Sequence, residues 1–418
     1  MIGYDEALAV VRQEAAALAS EFAGLASAHG RVLAQALIAP ESLPPFDNTA
    51  MDGYALKVPP AGLPAGTRLP RVGELAAGQA PGRHAEGALE IMTGAPIPEG
   101  FNAVIPVEQI VLEDDGQTVV TRQAVSPGKH IRGAGEDIAE GETLLEAGHV
   151  LDAAALAMCA ALGLVSLPVA RRPRVALINT GNEVLDPATE RLQPGQIRNS
   201  NGTYLVERLR EAGADCVLQA STGDEPDALI AAIRRAETAQ ADIVITTGAV
   251  SMGKYDFIPE TLTPLGARTL FHKVRMRPGK PILFGRLAAG ALFFGLPGNP
   301  ASSAVGLRFF VEPAIRRMLG LPAEQPRRLP LLRTHGNRVG LTLFLKGRWG
   351  LGGDGRAFAE VMGGQESFRL RPLLHSNAWV QLAAEVTEHA AGDTVAVYPP
   401  GHLSSLGGFA FNASEAMP

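Results

Sequence analysis

The chain has 418 residues, 46% of them hydrophobic and 19% charged, with a formal net charge of −6. Such a length exceeds one ordinary core, so about two to four domains are expected. The acidic balance argues against a nucleic-acid or membrane-surface binder, which needs a basic face, and no apolar run approaches the ~20 residues that span a bilayer.

Residues 4–38 read as helical: Asp5 can cap a first helix, apolar residues recur through Leu18 and Phe22, and Arg31–Leu37 continues the tendency. Leu43–Ala55 breaks this pattern. Its two prolines extend the backbone, Asp47, Asn48, Thr49 and Asp52 offer side-chain oxygens beside a permissive Gly53, and the composition suits a ligand-facing loop or a solvated turn. From Val58 to Glu136 short β-prone runs such as Thr118–Thr121, broken by Gly and Pro, predict a small β unit. Helical character returns at Asp152–Leu162.

From Pro173 to about Leu319 buried strands alternate with helices: strands at Val175–Ile178, Cys216–Leu218 and Ile243–Ile245, helices at Asn201–Ala212 and Asp227–Ala239. This is the signature of a mostly parallel sheet. After Pro322 the chain turns β-prone again, at Leu341–Leu345, Trp379–Leu382 and Thr394–Tyr398. The fold class predicted is multidomain α/β. Residues 1–57 plus 137–172 form a discontinuous helical domain, 58–136 a β insert, 173–320 the central α/β domain and 321–418 a small terminal β domain of barrel type. Cys159 and Cys216, far apart in apolar settings, support neither a disulfide framework nor a thiolate metal site. The N-terminus lacks a basic segment leading into an apolar one, which predicts a cytoplasmic protein.

Three acids stand at strand-to-loop junctions of the α/β segment: Glu183, Asp224 and Asp256. Open α/β sheets bind ligands beyond the carboxyl ends of their strands, and carboxylates gathered there need a cation or a raised pKa to coexist. Oxygen donors favour Mg²⁺; helix capping is the alternative use of each acid. Glycine-rich turns at Thr246–Gly253 and Leu296–Ser303 can cradle an anion with backbone N–H groups. Between them Lys273, Arg275 and Arg277 alternate, predicting one exposed strand face, and Lys280 follows. Together they point to a polyanionic ligand.

Seven strings in order, Pro45–Ala55, Met92–Pro98, Gly135–Ile138, Thr180–Glu183, Gly248–Gly253 with Asp256, Arg277–Pro281 and Leu296–Pro300, resemble the molybdopterin molybdenumtransferase family. The resemblance covers roughly residues 4–320 well and the last ~90 loosely. It implies a molybdopterin-binding type of central domain in a four-domain subunit. It also implies an elongated homodimer with the site at the subunit interface, and insertion of molybdate into adenylylated molybdopterin with release of AMP, assisted by Mg²⁺. Protein partners implied are a molybdopterin adenylyltransferase and client molybdoenzymes. Carried over residue by residue, Asp52, Thr93, Asp137, Glu183, Asp224 and Asp256 are the candidate catalytic residues, with Glu183, Asp224 and Asp256 as metal ligands. Thr180, Gly181, Gly248, Ser251, Gly253, Lys273, Arg277, Lys280, Pro297, Gly298, Asn299 and Ser302 are the candidate substrate- and anion-binding residues.

The chain departs from the family pattern at Ala249, where a second glycine is common, and at Lys254, Asn102 and Asn199, where an acid is frequent. Gly363–Arg371 matches the family's terminal segment only loosely. Two other readings stand beside insertion: molybdopterin adenylylation, whose enzymes carry a Gly-Gly-Thr-Gly turn where this chain has Thr247–Ser251, and a non-catalytic cofactor carrier or scaffold.

Overall fold

The computed structural model describes residues 1–248, 261–337, 340–404 and 409–410. The chain divides into two compact units, one made of residues 1–21, 30–34 and 168–418, the other of residues 22–29 and 35–167.

The first unit is organised by a sheet that has, among the described residues, six strands in the order Asp215–Thr222, Arg174–Thr180, Ile243–Thr247, Leu292–Leu296, Leu283–Arg286, Arg268–His272. The first four run parallel, and Leu283–Arg286 is antiparallel to both of its neighbours. Parallel strands covered on both faces must be apolar throughout. Accordingly Val175–Ile178 and Ile243–Ile245 have no exposed side chain. Helix Ser200–Glu211 starts where Asn199 accepts the Gly202 N–H at 2.8 Å, and Pro226 opens helix Pro226–Thr238, where its missing N–H costs nothing.

The helix Pro300–Gly306 continues through a π turn at Leu307–Val311 into Glu312–Met318. That turn buries Phe309 against Phe344 and Tyr398, at ring centroid separations of 4.0 and 5.2 Å. It also buries Arg308, which grips Glu324 through both terminal nitrogens, at 2.9 and 2.6 Å, and the Pro399 carbonyl at 3.0 Å. Glu312, wholly enclosed, accepts from Arg208 and from the His402 N–H, both at 2.9 Å. A buried carboxylate requires such partners.

In the terminal segment the strands Arg327–Pro330, Thr394–Tyr398, Ala378–Leu382, Thr342–Leu351 and Ala357–Val361 pair in turn. A bridge from Leu331 to Ala359 returns the ladder to its start. Met276–Arg277 adds to this sheet as a parallel neighbour of Thr342–Leu351.

The second unit holds, among the described residues, a six-stranded sheet ordered Ala103–Pro106, Gly53–Leu56, Ala88–Ile91, Arg68–Leu75, Thr118–Thr121, Ile110–Glu113. Helices Leu25–Ala28 and Ala153–Ala161 belong to it.

The expected helical run over residues 4–38 is shorter than its composition implied. Helix covers Tyr4–Glu14 and Leu25–Ala28, whereas Leu37–Ile38 is a strand paired with Thr143–Leu145. A partner over a hundred residues away outweighed local propensity. The first helix also packs within the first unit, Tyr4 meeting Phe344 at 4.7 Å, rather than with residues 22–29 and 35–167. Lys273, Arg275 and Arg277 do alternate with buried Val274 and Met276, but Lys273 lies at φ 70°, so this stretch is a kinked crossing and not one strand face.

Candidate functional site

Arg174–Thr180 lies in the middle of the parallel strands, and its end, with those of its neighbours, opens on a cleft of about 660 Å³. Thr180, Gly181, Glu183, Asp224, Gly248, Gly298 and Asn299 all line it. The floor is close-packed backbone. Gly248 has φ +96°, and a Cβ there would meet the Thr180 hydroxyl at 2.6 Å and the Thr180 carbonyl at 3.1 Å. That hydroxyl donates to the Thr247 carbonyl at 3.0 Å, and the Thr247 hydroxyl to Asn179 Oδ1 at 3.0 Å. Asn201 Nδ2 donates to the Gly298 carbonyl at 2.7 Å, which ties the Gly298 turn to the helix start.

The two acids flank Asn182. The Glu183 carboxylate folds over Gly181, which has φ +127°, so closely that a Cβ on Gly181 would lie 2.5 Å from it. Asp224 Oδ2 accepts from the Asn182 backbone N–H at 3.4 Å and its side-chain amide at 3.1 Å. Register pairing of Thr180 with Thr222 brings both loops to the same rim. Among the described residues, no group of three or more His, Cys, Asp or Glu side chains forms a metal cage. Asp256, Ser251, Gly253, Ala249 and Lys254 lie outside the described residues.

Arg277, Lys280 and Ser302 line a different cavity, of about 760 Å³, with His335 and Gln365. The helix Pro300–Gly306 links the two cavities, Pro300 lining the first and Ser302 the second. The single anion site expected from sequence is therefore two neighbouring cavities, one bordered by glycines and carboxylates and one by cations. Lys273 lines neither. Pro297 acts through its carbonyl, which accepts the Ser303 hydroxyl.

In the second unit, Asp52 Oδ1 accepts both the Thr93 N–H at 2.7 Å and the Thr93 hydroxyl at 2.6 Å. Those bonds, the hydroxyl's first, hold the Asp52 carboxyl below its usual range. Its neighbours in the string have structural duties. Asp47 accepts the Ala134 N–H at 2.8 Å, Asn48 donates to the Phe46 carbonyl at 3.2 Å, and the Thr49 hydroxyl donates to the Met51 carbonyl at 2.6 Å. Gly53 is required by close approach rather than by φ, since a Cβ would fall 2.1 Å from the Ile105 oxygen. Asp137 is exposed, and its N–H donates to the Leu43 carbonyl at 3.0 Å.

Sequence reasoning missed Asn182, Asn201 and Arg198. Arg198 borders the first cleft with its guanidinium held by the Thr189 and Glu190 carbonyls at 2.7 and 3.1 Å. The two asparagines gave a weak signal, polar residues beside a predicted strand end and helix start. Arg198 gave none, being one arginine among many.

A parallel sheet whose strand ends carry left-handed glycines and carboxylates around an open cleft defines a ligand-binding α/β enzyme. Residues 2–163 match the MoeA N-terminal region (domain I and II), 176–317 the probable molybdopterin binding domain and 333–399 the MoeA C-terminal region (domain IV). The molybdopterin molybdenumtransferase of Synechococcus elongatus is 37% identical over 95% of this chain and 99% of its own length. Molybdopterin molybdenumtransferase 2 of Mycobacterium tuberculosis is 38% identical over 90% and 93%. The crystal structure of the molybdopterin biosynthesis MoeA protein of Pyrococcus horikoshii superposes with a TM-score of 0.80 at 28% identity, covering 95% of this chain and 99% of that one. The chain belongs to the molybdopterin molybdenumtransferase family.

Proposed function

We propose that this chain is the transferase of molybdenum cofactor biosynthesis that inserts molybdate into adenylylated molybdopterin and releases AMP. The observation that carries the reading is the pairing of a glycine-floored cleft bearing Glu183 and Asp224 with an adjoining cavity bearing Arg277, Lys280 and Ser302. Cleaving a phosphoric anhydride builds negative charge on its oxygens, and cations with fixed dipoles stabilise it. Arg277 and Lys280 suit a dianion such as molybdate, and the Ser302 hydroxyl supplies a further polar contact.

Glu183 and Asp224 fit Mg²⁺, which takes one or two carboxylates and otherwise keeps water and substrate phosphate oxygens. Their hard oxygen donors on adjacent strand ends support that fit, with Asp256 as the proposed third ligand. Bound there, Mg²⁺ would offset anhydride charge. Asn182, donating to Asp224, holds one of the two carboxylates in place. Asp52 with Thr93, and Asp137, complete the proposed catalytic set, in a homodimer whose site draws on both subunits. A cytoplasmic location is part of the same reading; no described helix is long and apolar enough to cross a membrane.

The test supplies purified protein with adenylylated molybdopterin, Mg²⁺ and a molybdate titration, and follows AMP and cofactor. Molybdate-dependent release of AMP is the expected result. Tight binding without turnover refutes insertion and identifies a carrier.

A further inference from the structure

We propose that Phe368 is the stacking platform for the planar heteroaromatic ring of the ligand held in the first cleft, an inference that rests on the function proposed above. Phe368 lines that cleft beside Asn299 and is 64% exposed. It is the aromatic side chain among the described residues lining it. Leaving a phenyl ring in water forgoes the gain of burying it, and a flat ligand ring laid on it would recover part of that.

The ring sits on a loop that is clamped on both sides. The Ser367 carbonyl accepts the Ala301 N–H at 2.8 Å, tying the loop to the helix that leaves the cleft. The ammonium of Lys346, a residue only 1% exposed, donates to the Glu366 and Arg369 carbonyls at 3.3 and 3.2 Å. Gln365 exchanges hydrogen bonds with the Lys346 backbone at 3.0 and 2.7 Å. Burying a lysine is costly. Here the cost maintains a loop whose next side chain faces the cleft already in place, and pre-organisation of this kind lowers the entropy lost on binding. The Arg369 guanidinium, 5.6 Å from the ring centroid, adds a cation–π contact that orients the phenyl group.

The cleft thus joins a polar, glycine-lined floor for phosphate to an aromatic rim for a ring. Adenine and pterin are both planar heteroaromatics, and separate binding measurements distinguish them. Calorimetry with Mg²⁺ present would compare AMP, molybdopterin and ringless pyrophosphate on wild type, Phe368→Ala and Phe368→Trp. The alanine variant is expected to weaken one ring-bearing ligand about tenfold while leaving pyrophosphate unchanged, and tryptophan to restore it. Weakening of AMP assigns adenine to Phe368, and weakening of molybdopterin assigns the pterin. Equal affinities in wild type and Phe368→Ala for both ring-bearing ligands overturn the stacking role but leave the proposed function standing. Loss of pyrophosphate binding along with the others also overturns it, since the loop then acts structurally. Failure of wild type to bind any of the three overturns the proposed function as well.

Discussion

Replacing Gly248 and Gly298 separately by alanine tests whether the floor of the cleft is set by backbone geometry. At Gly248 the new methyl meets the Thr180 hydroxyl at 2.6 Å, and the backbone stays at φ +96°. Left-handed backbone costs a Cβ-bearing residue about 1–2 kcal/mol, and pushing Thr180 off the Thr247 carbonyl forfeits a buried hydrogen bond of about 1 kcal/mol. The sum is about 2–3 kcal/mol, or roughly 4–6 °C in melting temperature at about 2 °C per kcal/mol. At Gly298 the nearest atom to the new methyl is the Gly248 Cα at 3.6 Å, an ordinary contact at a backbone without positive φ. That variant should melt within about 1 °C of wild type yet bind AMP about tenfold more weakly, because a methyl group then occupies the cleft. Thermal unfolding with calorimetric AMP binding measures both. A Gly248→Ala protein as stable as wild type would falsify the geometric reading.

Other substitutions probe the buried charges and the family departures. Glu312→Gln leaves Arg208 short of a charge and turns an amide N–H₂ towards donors, so chemical denaturation should show a loss of about 3 kcal/mol; a loss below about 1 kcal/mol would mean the cluster is self-sufficient. Asn102 accepts from the Val58 N–H at 2.8 Å and donates to the Val58 carbonyl at 2.9 Å. Asn102→Asp should therefore cost about 1–2 kcal/mol, whereas Asn199→Asp keeps the cap acceptor and should be neutral; equal effects would contradict this. His402 is buried beside Arg308, and burial pushes its pKa down to about 3 from 6.5. The fold keeps the neutral ring, so its contribution is complete above pH 6.5 and drains as pH falls towards 3, by up to ~1.4 kcal/mol per unit. His402→Gln should flatten the stability slope between pH 6.5 and 4.5, and an unaltered slope would count against it. Thr93→Val removes one donor from Asp52, so the carboxyl pKa should rise towards the ordinary range in an NMR titration; an unmoved midpoint would discount the hydroxyl's part.

The α/β core was legible because parallel strands buried on both faces must be written as apolar runs, and the helices between them carry their own caps. Glu183 and Asp224 were legible for the same reason, as acids following such runs. What failed was whatever depends on distant partners. Arg31–Leu37 reads as helix, yet Leu37 pairs with Leu145. Asn102 looks like a substituted acid until Val58 is beside it. The separation of Arg277 and Lys280 from Glu183 and Asp224 into a second cavity follows from where the terminal strands fold back, and no local spacing encodes that. Phe368 is one phenylalanine in a loosely matching loop, and only the clamps around it give it a direction.

The enclosure of Glu312 has a consequence for how the chain is made. Its second donor is the His402 N–H, 90 positions further along, and Arg208 reaches the Pro400 carbonyl across 192 positions. A ribosome adding about 5–20 residues per second needs roughly 5–18 s to travel from Glu312 to His402. For that interval Glu312 has Arg208 as a partner but lacks the His402 N–H that completes its enclosure. The native seal forms only when residues 399–402 arrive, which makes this short segment the latch of vectorial folding.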